Sequence, residues 1–157
     1  MRARIRPVLQ SVSAASGEST FLALVTGHDY LCVDAVQSSK PLHLAVRPGE
    51  RKSLLGEALG HVLLAADTDL AASVRGDDPE SWERHAREIA VAERHGFALD
   101  LDSQKAGISC VAVAVTPRAA IAVAGPTMRL PKARLVTIGL KIRQELDAVR
   151  PANQEWL

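Results

Sequence analysis

Aromatic side chains are scarce in this 157-residue chain, at 3% of residues against 47% for hydrophobic residues as a whole. A core of that kind has to be filled by Leu, Val, Ile and Ala, which suits a sheet covered by closely packed helices. The same scarcity speaks against a stacking platform for single-stranded nucleic acid. Neither sign of charge is in excess: the formal net charge is +1, which supplies no general attraction to nucleic acid or membrane. Cysteine is limited to Cys32 and Cys110, both in apolar, strand-like runs. Two such residues read as buried free thiols and fit a cytoplasmic location. No apolar stretch has the length needed to cross a bilayer. The basic start, Met1–Arg6, is not followed by the apolar segment of a signal peptide, because Gln10, Ser11 and Ser13 interrupt it. The expectation is a single domain, 1–157, large enough to bury about 70% of its unfolded surface.

The most informative stretch is Leu54–Ala65, an apolar run interrupted by Gly56 and Gly60. Glycine inside a helix costs roughly 1 kcal/mol against alanine, so it persists where the backbone must come close to something. Read as one helix, the run places both glycines on one face. Either that face packs tightly on a neighbouring element, or the start of the helix offers bare backbone N–H groups to an anionic ligand.

Around this stretch the pattern alternates hairpins and helices. Ile5, Val8, Leu9 and Val12 follow helical spacing, with Pro7 in the first turn and Gly17 as the stop. Thr20–Val25 and Tyr30–Val36 flank the turn cluster Gly27-His28-Asp29 and predict a first hairpin. Leu42–Val46 predicts a third strand, closed by Pro48-Gly49. Asp78-Pro79-Glu80 is a strong helix start that leads a face of Trp82, Ala86 and Ile89 down to Gly96. Phe97–Asp100 predicts a short strand and Asp102–Ala106 a polar loop. Ile108–Ala124 predicts a second hairpin, apolar on both faces and so interior to its sheet. Lys132–Val149 predicts a closing helix with Leu135, Ile138, Ile142, Leu146 and Val149 inward, ended before Pro151. Together these predict an α+β domain, a mostly antiparallel β-sheet with helices packed on it.

Five features in this order resemble the effector-binding domain of the IclR family of bacterial transcriptional regulators. They are Arg47-Pro48-Gly49-Glu50-Arg51 ahead of the glycine helix, the glycine helix itself, His95–Asp100, the hairpin from Gly107 to Pro126, and Met128-Arg129-Leu130 before the last helix. The resemblance runs from about Ile5 to Val149 and implies a GAF-like fold. It also implies self-association as a dimer or tetramer. The site it implies is an effector site for a small molecule carrying a carboxylate. Backbone N–H groups of Ala58, Leu59 and Gly60 would receive that carboxylate, Asp100 would contact the ligand, and Ile108, Cys110, Ala122 and Ala124 would form the wall. Alanine at 122 and 124, where relatives that bind small oxo-acids carry serine, favours a larger ligand with an apolar body. His61 stands where the family often has lysine, and Asp102-Ser103 where it often has paired acids, which alters the mouth of that site. Full-length members carry a winged helix-turn-helix ahead of this domain. No pair of helices joined by a glycine turn precedes it here, which leaves an excised domain or a truncated relative as the two readings.

Other chemistries are weaker. A nucleophilic cysteine wants a helix N-terminus or a cationic neighbour, and Cys110 sits mid-strand beside Val111 and Ala112. His28, Asp29, Cys32 and His43 match no compact zinc spacing, so no metal or other cofactor is expected. His85 and His95 lie on the Asp78-capped helix as surface residues or as charge at its C-terminal end. Arg2, Arg4 and Arg6 read as a solvated basic end. The function expected is therefore ligand sensing and oligomerisation without catalysis; the alternative is a stand-alone pairing module that binds no effector. Direct DNA contact is not expected of this chain, because it has no recognition helix and little net charge to draw phosphates. Gel shifts at sub-micromolar chain and physiological salt should show no sequence-specific band.

Overall fold

The computed structural model describes residues 1–150. The first helix, α1 (Arg2–Ser16), precedes a hairpin of β1 (Ser19–Thr26) and β2 (Asp29–Val36). A short β3 (Arg51–Ser53) leads into three consecutive helices, α2 (Ala58–Ala66), α3 (Thr68–Asp77) and α4 (Pro79–His95). Then come β4 (Phe97–Leu101), the hairpin of β5 (Ile108–Thr116) and β6 (Ala119–Pro126), a 3-10 turn at Thr127–Arg129, and α5 (Lys132–Val149). All strands pair antiparallel, in the order β3-β2-β1-β6-β5-β4. Among the described residues no helix is long and apolar enough to cross a membrane.

Because side chains alternate along a strand, the apolar hairpin feeds two cores. Val111, Val113, Ile121 and Val123 pack with α1 and α5 on one face. Ala112, Ala120, Ala122 and Ala124 pack with α2 and α4 on the other. The alanine face lets α2 pack on the sheet, and Gly60 lets the segment entering α2 approach the helix itself. A Cβ on Gly60 would stand 2.0 Å from the Leu54 carbonyl oxygen, so the chain entering the helix and the helix itself touch through bare backbone.

Several expectations need correction. Residues 42–46 form no strand; proline brackets them, and their backbone groups find side chains instead of a ladder. Ser19 donates to the Leu44 carbonyl at 2.7 Å, and the Gln37 amide exchanges bonds with both the N–H and the carbonyl of Val46. The third strand is β3 instead. Gly56 lies outside the helix, which starts at Ala58 after the bend at 54–57. Helix α3 has no apolar periodicity to reveal it, since only Val74 is buried, but Asp67 caps its start by accepting from the N–H groups of Asp69 and Leu70. Pro7 lies past the first turn of α1, inside the helix.

The single chain itself covers the apolar face of α1: Ile5, Val8, Leu9 and Val12 are all at or below 1% exposure. That face therefore supplies no reason for self-association. The predicted positions of α4 and α5 hold, with Asp78 capping the N–H of Ser81 and Gly96 closing α4 in the left-handed region at φ 75°. Gly60→Ala should lower stability by about 1–3 kcal/mol despite alanine's better helix propensity. Gly76→Ala in α3, where an added Cβ meets nothing within 4 Å, should instead raise it by about 0.5–1 kcal/mol. Urea denaturation of the two variants checks both signs.

Candidate effector site

Where the alanine face runs past the start of α2, no helix fills the space. A cavity of about 230 Å³ opens there, with Phe21, Cys110 and Ala124 from the sheet as its back wall. Tyr30 and Cys32 close one side, Asp100 and Ile108 the other, and the strap of residues 44–46 lies across it. Charged groups ring the mouth: Glu50, Lys52, Glu57 and Lys105, with Lys52 and Glu57 paired at 3.1 Å.

The strap is anchored by an ion pair whose acidic partner is buried. Glu18 is fully buried and receives two bonds from Arg129, at 2.9 and 2.7 Å, and the same guanidinium reaches the Leu42 carbonyl at 2.6 Å. Arg129 lay within a motif of the resemblance, but its acidic partner 111 residues earlier had no local signal in the sequence.

Asp100 is 5% exposed and its carboxylate accepts the Ala58 N–H at 2.7 Å. It thus does what the N-cap residue of α2, Glu57, does not: it caps the helix from a different strand. Burial pushes its carboxyl up from 3.8 to about 6, against the pull of the Ala58 amide, and the charges of Glu57 and Glu88 add to the rise. Burial also pushes the Cys32 thiol up to about 11 and the Cys110 thiol well above its usual range. Both cysteines are therefore neutral, apolar wall groups near neutral pH. The Tyr30 hydroxyl is raised by burial and then by Glu57, and stays a neutral donor.

Of the residues singled out in the sequence, the fold brings Asp100, Ile108, Cys110 and Ala124 to the cavity. Ala122 is fully buried in the alanine-face core instead. Ala58, Leu59 and Gly60 form the first turn of α2 behind Asp100 and do not line the cavity. The Ala58 amide, expected to receive a ligand, is already bonded to Asp100. Tyr30, Phe21 and the strap were not legible as site residues.

The remaining candidates disperse. His28 bonds Ser73 on α3, Asp29 holds Arg51, and His43 turns to the Lys40 carbonyl. Among the described residues no cluster of three or more His, Cys, Asp or Glu could hold a metal. His61 does not reach the mouth. It is fully buried, 2.8 Å from the ring of His85, its Nδ1 has no partner, and burial followed by the His85 charge lowers its pKa to about 4. His85 is accordingly half-buried against His61 rather than a free surface group.

The family described as bacterial transcriptional regulator IclR C-terminal matches residues 1–75. The fold carries the likeness through the rest of the chain. The crystal structure of the Thermotoga maritima IclR superposes with a TM-score of 0.83 at 18% identity, covering 94% of this chain and 66% of that one. The matched segment and the shared fold make the chain similar to the C-terminal domain of the IclR family. Two curated relatives align over nearly all of it. The HTH-type transcriptional regulator BhcR of Paracoccus denitrificans is 26% identical over 97% of the chain, and the HTH-type transcriptional regulator XynR of Escherichia coli 24% over 92%. The chain spans 57% and 63% of the lengths of those two proteins. The IclR family is one of regulators and not of enzymes, which agrees with the neutral thiols.

The elevated carboxyl of Asp100 has a consequence for stability. Between about pH 4 and pH 6 the folded chain keeps a proton there that the unfolded chain has released, so stability falls as pH rises through that window. A rise from 3.8 to about 6 amounts to roughly 3 kcal/mol. Asp100→Asn keeps an acceptor for the Ala58 amide without the charge. Its stability relative to the parent chain should grow by roughly 2–3 kcal/mol from pH 4 to pH 7, read from urea midpoints across a pH series.

Proposed function

We propose that the chain is the effector-sensing and self-associating domain of a cytoplasmic IclR-type regulator, and that it takes a small carboxylate-bearing metabolite into the cavity beneath the strap. The observation that carries this reading is the cavity itself. An assembly module that never meets an effector has no use for an unfilled space with a carboxylate, a phenol and two thiols in its wall, and a packed interior would be more stable.

The cavity suits a ligand with an apolar body and polar ends. Phe21, Cys110 and Ala124 offer apolar contact, and the absence of hydroxyls at Ala122 and Ala124 disfavours a very small, strongly polar acid. Asp100 accepts a bond from a ligand hydroxyl or amine. Lys52 and Lys105 at the mouth attract a carboxylate. The first turn of α2, Ala58–Gly60, then acts through Asp100, and a ligand carboxylate reaches the Ala58 amide only by displacing that side chain. Binding regulates by favouring one of two arrangements of subunits, and it shifts them only as far as its affinity for the two differs. An attached DNA reader would report the change.

A thermal-shift screen of aromatic and aliphatic carboxylic acids tests the reading. A true ligand at about a hundredfold its dissociation constant stabilises by about 2.7 kcal/mol, which raises the melting temperature by roughly 5–10 °C for a chain of this size. The shift should disappear in Asp100→Ala and in Ala124→Leu, which blocks the wall. A hit undiminished in both variants would place the site elsewhere.

A further inference from the structure

The sheet ends on two edges of different character. One is β3, three exposed residues that include Arg51 and Lys52, the short charged form that discourages pairing with another chain. The other is β4, five residues with neither proline nor lysine. Its inner side pairs with β5, and among the described residues nothing bonds the backbone groups on its outer side. The flanking helices leave that side open. A groove of about 390 Å³ runs along it between α4 and the start of α5, with Val91, Phe97, Leu99 and Val136 in its walls.

Leu101, also in the groove wall, is 42% exposed, and apolar surface continues beyond the groove at Leu140, 54% exposed. Leu140 follows Val136 by one helical step of four on α5. Its neighbour Gly139 packs on Val111 and Phe97, so this face of α5 borders the open strand.

We propose that a second copy of this chain docks here, β4 against β4, making one continuous antiparallel sheet through both copies. The proposal rests on the self-association put forward above and names its surface. A two-fold axis pairs an edge strand with its own copy antiparallel, and sets α4 beside α4 on the same face of the joined sheet. Leu99 lies three residues past Gly96, about 10 Å along the strand. Helix α4 covers that distance in about seven residues, which brings Arg87 and Glu88 level with Leu99. Both border the groove, and neither has a salt-bridge partner among the described residues. With the helices antiparallel, Arg87 of one copy faces Glu88 of the other, and the reverse, so the surface complements itself. An extended segment of an unrelated protein would use the same backbone bonds without that charge match.

Sedimentation velocity over a concentration series up to tens of micromolar tests this, with melting curves to confirm that each variant folds. Leu101→Lys and Leu140→Lys, at positions already exposed, should each weaken association about tenfold or more. Arg87→Glu should weaken it too, and the double variant Arg87→Glu/Glu88→Arg should recover it, because the two charges exchange places. Native-melting lysine variants that associate like the parent would overturn the proposal, as would a double variant no better than Arg87→Glu alone. A parent chain that stays monomeric would remove self-association altogether, whereas a dimer indifferent to all these variants would remove only this surface.

Discussion

The hairpin of β5 and β6 has no solvent-facing side, and the layout of the domain depends on how its two faces differ. Valine and isoleucine project to one face and pack against α1 and α5. Alanine projects to the other and lets α2 pack there, where Gly60 meets the Leu54 carbonyl. A chain so short of aromatics has few side chains large enough to level such a surface. The seat of α2 therefore leaves space past its N-terminal end, where Cys110 and Ala124 stand under no helix. The cavity is the remainder of an otherwise close-packed interior.

Covering that space falls to residues 42–46, and the way this segment is held explains why it is a strap and not a strand. Buried backbone groups need partners. Here Ser19 and Gln37 serve Leu44 and Val46, and Arg129, fixed by the buried Glu18, serves Leu42. Side chains from three separate segments thus replace the ladder that a neighbouring strand would provide. The segment closes the cavity without becoming part of the sheet, and each contact that closes it is a discrete bond.

How much of this was legible in the sequence follows the range of the interactions. Helix α4 was readable because Asp78, Pro79 and Gly96 announce its ends and Ile89 marks its inner face, all within a few turns. The two long hairpins and α5 were readable for the same local reason. Helix α3 has only a cap, with Val74 alone buried, so apolar periodicity passes over it. Leu42–Val46 looks like a strand because its apolar residues alternate, but Leu44 and Val46 turn onto a cavity and Leu42 stands exposed. The resemblance drew attention to Asp100 and to the start of α2. It did not disclose that the two bond each other across 42 residues, which turns a presumed ligand-receiving amide into a support for the carboxylate. The His61–His85 pair and the Glu18–Arg129 clamp are likewise tertiary facts with no local trace.

Strand β4 joins the two surfaces proposed here. Asp100 points from it into the cavity and holds the first turn of α2, while Leu99 and Leu101 on the same strand border the outer groove. A ligand that engages Asp100 competes with the Ala58 amide for its oxygens and so acts on the strand that also forms the outer edge. If pairing at that edge alters the seat of Asp100, the ligand must alter pairing by the same factor, because coupling between two binding equilibria is reciprocal. A rigid shift of one five-residue strand suffices for this, since Asp100 and its outer neighbours are adjacent on one backbone. The neutral thiols and the fixed alanine wall contribute shape to the cavity. The group in it whose bonding a ligand would change, and which is also tied to the open edge, is the Asp100 carboxylate.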